Sequence, residues 1–353
     1  MDSASDVAGT FGYHQFSLID ALRCMQGDAL AALGYGAIES PHRIIESGSF
    51  WRLRAYGSSD EGRPVLIVPA PIKRAYVWDL TPRVSVIREC LRSGLRVFML
   101  EWLPASDATC NIGIADHVEA IAHALETVES RSHHEKPVLM GHSLGGTLAA
   151  IAAATVPDFV AGLVLLASPI CFRANGSSFR DALVALVPAP VSDSKPYPGS
   201  MLSQVSAMAS PETFIWSRLA DAALSAADDS AMDIHARIER WALDEVALPG
   251  RLVSEIVDRL YRENRFCRGI LQVGERIIGA ANLASPTLAV VNTADRVAPL
   301  DSLSPIAEAL GSDQFRIIEH PGENGVCLQH LGVLVGRQAH AEVWPKIIEW
   351  IRT

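Results

Sequence analysis

The sequence predicts a mostly parallel, doubly wound α/β sheet that carries a helical insertion. Short apolar runs alternate with helical patterns along most of the chain, which is typical of a parallel sheet with helices on both faces. The stretch from 169 to 284 breaks this alternation with a proline-rich run followed by helical patterns. A length of 353 residues suits one large domain with such an insertion.

The individual elements follow from the hydrophobic pattern. Residues 1–45 are predicted to be helical, and four apolar residues lie at helical spacing: Leu18, Ile19, Leu22 and Met25. We therefore expect this helix to pack against the rest of the molecule. An alternating run predicts an antiparallel strand at 50–57. Core strands are predicted at 64–70, 96–102, 137–141, 161–168, 286–292 and 315–320, and core helices at 87–92, 116–129 and 331–351.

These elements divide the chain into three parts. Residues 1–60 form an N-terminal helical segment and a first strand. Residues 61–168 and 285–353 form the α/β core, and residues 169–284 form a helical cap over its active face. We expect the cap to belong to the same folding unit as the core.

Composition limits the classes of function. The net charge of −10 argues against a nucleic-acid partner, because phosphate binding requires a basic surface. The N-terminus does not resemble a signal peptide, and no run is long and apolar enough for a membrane span. Six scattered cysteines predict unpaired thiols and a cytoplasmic protein. No cofactor or metal site is predicted, and the pair His133-His134 is interpreted as solvated.

A Gly-x-Ser-x-Gly motif spans Gly141 to Gly145 and makes Ser143 a candidate nucleophile. The motif follows a buried strand and precedes a helix, a context that places the serine in a strained turn above the sheet edge. The helix directs its N-terminal N–H groups and dipole at the same point. This arrangement is typical of the α/β-hydrolase fold.

An oxyanion hole needs two N–H donors beside the nucleophile. The first is expected from Leu144, the residue after Ser143. The second is expected from the loop that follows the strand at 64–70, where Pro69 and Pro71 have no N–H. Ala70 and Ile72 remain as equal alternatives.

A serine nucleophile also needs a base and an acid that orients the base. Asp295 follows the strand at 286–292 directly and is preferred to Asp301, which suits a helix N-cap. His330 precedes the last helix and is preferred to His320, which is still attached to its strand. The sequence therefore predicts Ser143, Asp295 and His330 as the catalytic set.

Three stretches resemble the catalytic domain of polyhydroxyalkanoate synthases: residues 64–102, "WALDEVALPG" at Trp241–Gly250 and "TADRVAPL" at Thr293–Leu300. The resemblance covers most of residues 60–353, and the second stretch is its most specific part. It implies the same three catalytic residues. Those synthases use cysteine at the elbow where this chain has Ser143, and their N-terminal domain is reduced here to residues 1–60.

The function expected is cleavage of acyl esters or thioesters through an acyl-enzyme on Ser143. A serine favours ester cleavage completed by water, whereas a cysteine thiolate suits thioester exchange. One alternative is an acyltransferase that moves 3-hydroxyacyl groups from coenzyme A, and another is a non-enzymatic granule-associated or scaffold protein. The expected partner is a small acyl ester or acyl-CoA, and a homodimer is left open.

Overall fold

Strands in the described part of the chain form one large sheet and two small ones. The computed structural model describes residues 2–59, 61–311 and 313–353, with side chains from His14 onward. The strands are β1 (His42–Ser47), β2 (Trp51–Tyr56), β3 (Pro64–Val68), β4 (Asp79–Thr81), β5 (Val84–Ser85), β6 (Arg96–Trp102), β7 (Val138–His142), β8 (Gly162–Leu166), β9 (Leu271–Val273), β10 (Arg276–Ile278), β11 (Thr287–Asn292) and β12 (Phe315–His320). The large sheet has the order β1-β2-β6-β3-β7-β8-β11-β12.

Helices lie on both faces of this sheet and in the segment between β8 and β11. They are α1 (Asp2–Leu30), α2 (Val86–Arg92), α3 (Ile114–Arg131), α4 (Leu144–Thr155), α5 (Ser178–Leu186), α6 (Gly199–Ala209), α7 (Ser217–Ser225), α8 (Asp229–Leu243), α9 (Gly250–Glu255), α10 (Ser304–Leu310), α11 (Gly332–Val335) and α12 (Trp344–Arg352). Short 3₁₀ and π turns join several of them.

Hydrophobic burial explains the parallel part of the sheet. Every residue of β3, β7, β8 and β11 is buried, as expected for strands that are covered on both faces. The pairs from β6 to β12 are parallel, and β1 and β2 add an antiparallel edge. The predicted α/β-hydrolase fold class is therefore confirmed. Because the core strands are parallel, their carboxyl ends meet at one edge.

Two apolar layers hold the helices to the sheet. On one face α3 and α4 bury Ile121 and Leu148 against the strands. On the other face α2 and α12 bury Ile87 and Ile347. Each fully buried side chain of this size contributes roughly 1.5–3 kcal/mol relative to an exposed one.

The helical segment, residues 169–284, contains α5 to α9 and the β9–β10 hairpin. Helix α1 lies against it, and Asp20 accepts hydrogen bonds from the backbone N–H groups of Gly199 (3.0 Å) and Ser200 (2.8 Å) at the start of α6. Of the four residues expected to pack, Ile19 is partly buried, and the expectation is wrong for the exposed side chains of Leu18, Leu22 and Met25. The helix is anchored by its polar face.

Two predictions of secondary structure differ from the observed elements. The helix predicted over 1–45 is shorter than expected, because residues 36–41 are not helical and β1 pairs with β2, the predicted strand at 50–57, at the sheet edge. The last helix is interrupted, because Gly336 is extended with ψ 131°. There the carboxylate of Glu323 accepts the backbone N–H groups of Gln338 (2.8 Å) and Ala339 (3.2 Å), so the chain restarts its helix on a side-chain cap.

The cysteines also differ in part from expectation. Cys171 and Cys267 form a disulfide within the helical segment, between the loop after β8 and the turn before β9, so the expectation of unpaired thiols is wrong for this pair. Cys24, Cys90, Cys110 and Cys327 are free thiols. Among the described helices, none has the length and apolar character that crossing a membrane would require.

Candidate active site

Ser143 lies in a tight turn between β7 and α4. Its backbone has φ 54° and ψ −131°, a conformation that is costly for a residue with a side chain. The flanking glycines allow this turn: a Cβ on Gly141 would lie 2.5 Å from the Cα of Gly146, and one on Gly145 would lie 2.3 Å from the carbonyl oxygen of Val68. The motif is therefore required by backbone contact on both sides of the serine.

Ser143, His330 and Asp295 form one chain of hydrogen bonds. Asp295 follows β11, and His330 lies in a 3₁₀ turn between β12 and α11. The Nε2 atom of His330 is 2.7 Å from the hydroxyl oxygen of Ser143, and its Nδ1 is 2.6 Å from Oδ2 of Asp295. The structure thus brings together the three residues that the sequence selected.

The environment of Asp295 keeps its carboxylate ionised. Burial alone would raise the pKa of Asp295, but His330 and the backbone N–H groups of Val297 (2.8 Å) and Ala298 (3.4 Å) lower it below its usual value. An ionised carboxylate accepts a hydrogen bond from the Nδ1–H of His330, which leaves the Nε2 lone pair directed at Ser143.

The rival residues lie elsewhere. Asp301 is exposed within the 3₁₀ turn Leu300–Ser302, not at its N-cap. His320 is fully buried at the end of β12, and its Nε2 is 3.4 Å from Glu323. In the described structure, the Ser143 hydroxyl is hydrogen-bonded to Nε2 of His330, and His320 does not contact it.

His142 supports the base from inside the elbow. Its Nε2–H donates to the carbonyl oxygen of His330 at 2.8 Å, and the two rings lie 4.8 Å apart. Burial lowers the pKa of His142 to about 3, so this ring is neutral at pH 7 and does not repel a protonated His330.

The three predicted oxyanion donors all line the cavity next to Ser143: Leu144, Ala70 and Ile72. The backbone nitrogen of Ala70 lies against the first turn of α4, 2.7 Å from the position of a Cβ on Gly145. The indole of Trp102 donates to the carbonyl oxygen of Pro69 at 2.8 Å and fixes this loop.

Sequence reasoning missed the side chains that hold the loops. Asn292 donates through Nδ2 to the carbonyl oxygen of Gln329 at 2.7 Å and fixes the turn that carries His330. Its only sequence signal is that it is a polar residue closing an apolar strand. Trp102 gives no such signal, because its partner Pro69 is 33 residues away.

A cavity of about 430 Å³ opens above Ser143. Its walls come largely from apolar side chains of the helical segment, among them Phe179, Leu183, Met201 and Val257. Four cationic side chains also reach it, and three of them are paired at 2.9 Å or less with the carboxylates of Glu239 and Glu245: Arg23, Lys73 and Arg218. The cavity is therefore largely apolar, and the three paired cations share two carboxylates.

Comparison with known proteins finds relatives and similar folds. A poly(3-hydroxyalkanoate) polymerase subunit PhaC from Haloferax mediterranei is 26% identical over 322 residues, which cover 88% of this chain and 64% of that protein. The PhaC subunit from Synechocystis is 25% identical over 298 residues, covering 82% of this chain and 77% of that protein. The chain thus spans less than two thirds of its Haloferax relative.

Solved structures show the same fold at low sequence identity. A monoacylglycerol lipase from Paleococcus ferrophilus has a TM-score of 0.51 and 18% identity, over 85% of this chain and 98% of that one. A proline iminopeptidase-related protein from Thermus thermophilus has a TM-score of 0.53 and 14% identity, over 89% of this chain and 99% of that one. The model of the alpha/beta hydrolase fold matches residues 63–327. This chain is therefore a member of the alpha/beta hydrolase fold family.

Proposed function

We propose that the chain is an enzyme that cleaves acyl esters or thioesters through an acyl-enzyme on Ser143. The observation that carries the proposal is the chain of hydrogen bonds from Ser143 through His330 to Asp295, placed at the elbow beneath an apolar cavity. Ser143 acts as nucleophile, His330 as base and Asp295 as orienting acid.

The proposed reaction has two halves. In the first, Ser143 attacks the acyl carbonyl while Nε2 of His330 takes its proton, and the leaving group then receives that proton. The N–H groups of Leu144 and Ala70 stabilise the oxyanion, with Ala70 preferred to Ile72 because it lies against the first turn of α4. In the second half, water attacks the acyl-enzyme with the help of the same histidine.

The cavity favours an apolar acyl group. Its volume lies within the range of small-molecule sites, and most of the side chains that line it are apolar. We propose that residues 169–284 act as a cap over the core formed by 61–168 and 285–353, and that residues 1–60 brace this cap through Asp20.

Acyl transfer from coenzyme A is the second candidate, favoured by the similarity to poly(3-hydroxyalkanoate) polymerase subunits. The stretch Trp241–Gly250, which resembles those polymerases most specifically, supports the active-site loop. The Trp241 indole donates to the carbonyl oxygen of Arg74 at 2.8 Å, and Glu245 pairs with Lys73 at 2.6 Å. This stretch therefore ties the helical segment to the loop that carries Ala70.

A substrate panel separates the two candidates. Wild type and Ser143→Ala are incubated with a short aryl ester, 3-hydroxybutyryl-CoA and a polyester, and the products are resolved by mass spectrometry. Free 3-hydroxybutyrate from 3-hydroxybutyryl-CoA supports hydrolysis, whereas oligomer or polymer formed from this acyl-CoA alone supports transfer. Ser206→Ala is the matched control, because Ser206 lines the same cavity outside the hydrogen-bonded chain. A fluorophosphonate probe, which labels activated serines, is applied to the wild type in parallel. Full turnover by Ser143→Ala, together with no label on Ser143 of the wild type, would refute both candidates.

Location and assembly are further proposals. We retain the cytoplasm as the proposed location, although a reducing compartment opposes the disulfide between Cys171 and Cys267. Alkylation of the chain in intact cells, followed by mass spectrometry, reports whether this pair is reduced there. A homodimer is tested by light scattering of the purified chain.

A further inference from the structure

A second cluster of reactive side chains lies beside the cavity, separate from the Ser143 chain of hydrogen bonds. His235 and Glu239 are four residues apart on one face of α8, and Cys327 lies in the loop that leads to His330. One ligand atom from each, an imidazole nitrogen, a carboxylate oxygen and the sulfur, lie within 4.8 Å of one another. Sequence reasoning did not detect this cluster, because Cys327 is 88 residues from Glu239.

The imidazole of His235 is oriented by a buried carboxylate. Its Nδ1–H donates to Oδ2 of Asp221 at 2.7 Å, and only 6% of His235 is exposed. That bond assigns the ring proton to Nδ1, so Nε2 carries a lone pair. The Nε2 atom lies 3.8 Å from Oε1 of Glu239. A carboxylate behind a histidine in this way is typical of metal-binding histidines.

The same carboxylate holds the loop of the third side chain. Asp221 accepts hydrogen bonds from the backbone N–H groups of Gly325 and Cys327, both at 2.9 Å. The sulfur of Cys327 is therefore presented to α8 by a fixed backbone, and its S–H donates to Oε1 of Glu239 at 2.8 Å. The cluster is thus preorganised from the helix side and from the loop side.

The local charges suit a divalent cation. Arg218 pairs with Glu239 and offsets its charge, whereas the carboxylate of Asp221 remains. When a cation replaces the thiol proton, Oε1 of Glu239 regains the lone pair that accepted the S–H, while Arg218 keeps its bonds. The two positive charges of the cation then balance the negative charges of the Asp221 carboxylate and of the new Cys327 thiolate.

We propose that His235, Glu239 and Cys327 bind one Zn²⁺ ion, with Asp221 as the partner that orients His235. A thiolate and an imidazole select zinc over magnesium or calcium. Zinc bonds of about 2.0–2.3 Å need only small side-chain rotations from the observed spacing. On binding, the Cys327 thiol proton passes to solvent and a sulfur–zinc bond forms. Cys327 lines the cavity, which gives the ion an entry path. This proposal is independent of the proposed function.

Cobalt(II) titration tests the site directly, because tetrahedral Co²⁺ bound by thiolate gives a visible spectrum that Zn²⁺ can abolish. The full chain is treated with chelator and titrated with CoCl₂, and then with ZnCl₂. We expect a thiolate-to-cobalt charge-transfer band that saturates at one equivalent and disappears with zinc. Absence of the band, together with no retention of zinc after equilibrium dialysis, would overturn the proposal.

Variants locate the ion. Cys327→Ser is expected to abolish the charge-transfer band, and His235→Asn, which keeps a donor for Asp221, is expected to raise the Kd for Zn²⁺ at least about tenfold. Cys110→Ser is the matched control, because Cys110 is a partly buried free thiol outside the cluster. Thermal unfolding without metal verifies that each variant is folded. A band that survives in folded Cys327→Ser, or that is lost in Cys110→Ser, would assign the metal to another site and refute the proposal.

Discussion

Replacing Asp295 with asparagine should inactivate the proposed enzyme by reversing the tautomer of His330. In wild type, Oδ1 of Asp295 accepts the N–H groups of Val297 and Ala298, and Oδ2 accepts the Nδ1–H of His330. An asparagine must keep its carbonyl oxygen on the two backbone donors, so its NH₂ group faces Nδ1. That nitrogen then becomes an acceptor, and the ring proton moves to Nε2, where it blocks acceptance of the Ser143 proton.

The expected loss is large. In a serine protease with the same network, this substitution lowers kcat by about 10⁴, which corresponds to about 5.4 kcal/mol of transition-state free energy. The assay is kcat for whichever short aryl ester the wild type cleaves, with circular dichroism to verify folding. Asp301→Asn is the matched control, because Asp301 is the exposed rival acid. A loss of less than about tenfold in folded Asp295→Asn would refute the assigned role.

Two further predictions concern stability. Ser143→Gly should unfold at a higher temperature than Ser143→Ala, because glycine relieves a backbone strain of roughly 1–3 kcal/mol at φ 54°. Both variants lack the nucleophile, so they differ only at this backbone position. Equal melting temperatures would contradict the strain. Burial lowers the pKa of His117 to about 4, below its unfolded value near 6.5, so the unfolded chain binds the proton first as pH falls. Between pH 7 and 5 the wild type should lose about 2 kcal/mol more unfolding free energy than His117→Asn. The exposed His133→Asn is the control in urea titrations, and parallel losses in all three proteins would exclude His117 as the cause.

Local sequence patterns were sufficient to predict the strands of the large sheet and the position of the nucleophile. Continuous apolar composition was enough to predict the buried strands β3, β6, β7, β8 and β11. The elbow at Ser143 was predictable because it depends on glycines within two residues of the serine. Long-range contacts were not predictable in the same way. Glu323 caps the restart of the last helix from 15 residues away, and the disulfide of Cys171 spans 96 residues.

The position of His330 shows why the base is harder to predict than the nucleophile. Three side chains from separate parts of the fold fix the loop before it: His142 binds the His330 carbonyl, Asn292 binds that of Gln329, and Asp221 accepts the Cys327 N–H. The first two come from core strands and the third from the helical segment. Because Asp221 also orients His235, a cation bound beside Cys327 would act on the loop that carries the base. The geometry at Ser143 therefore depends on the helical segment as well as on the sheet.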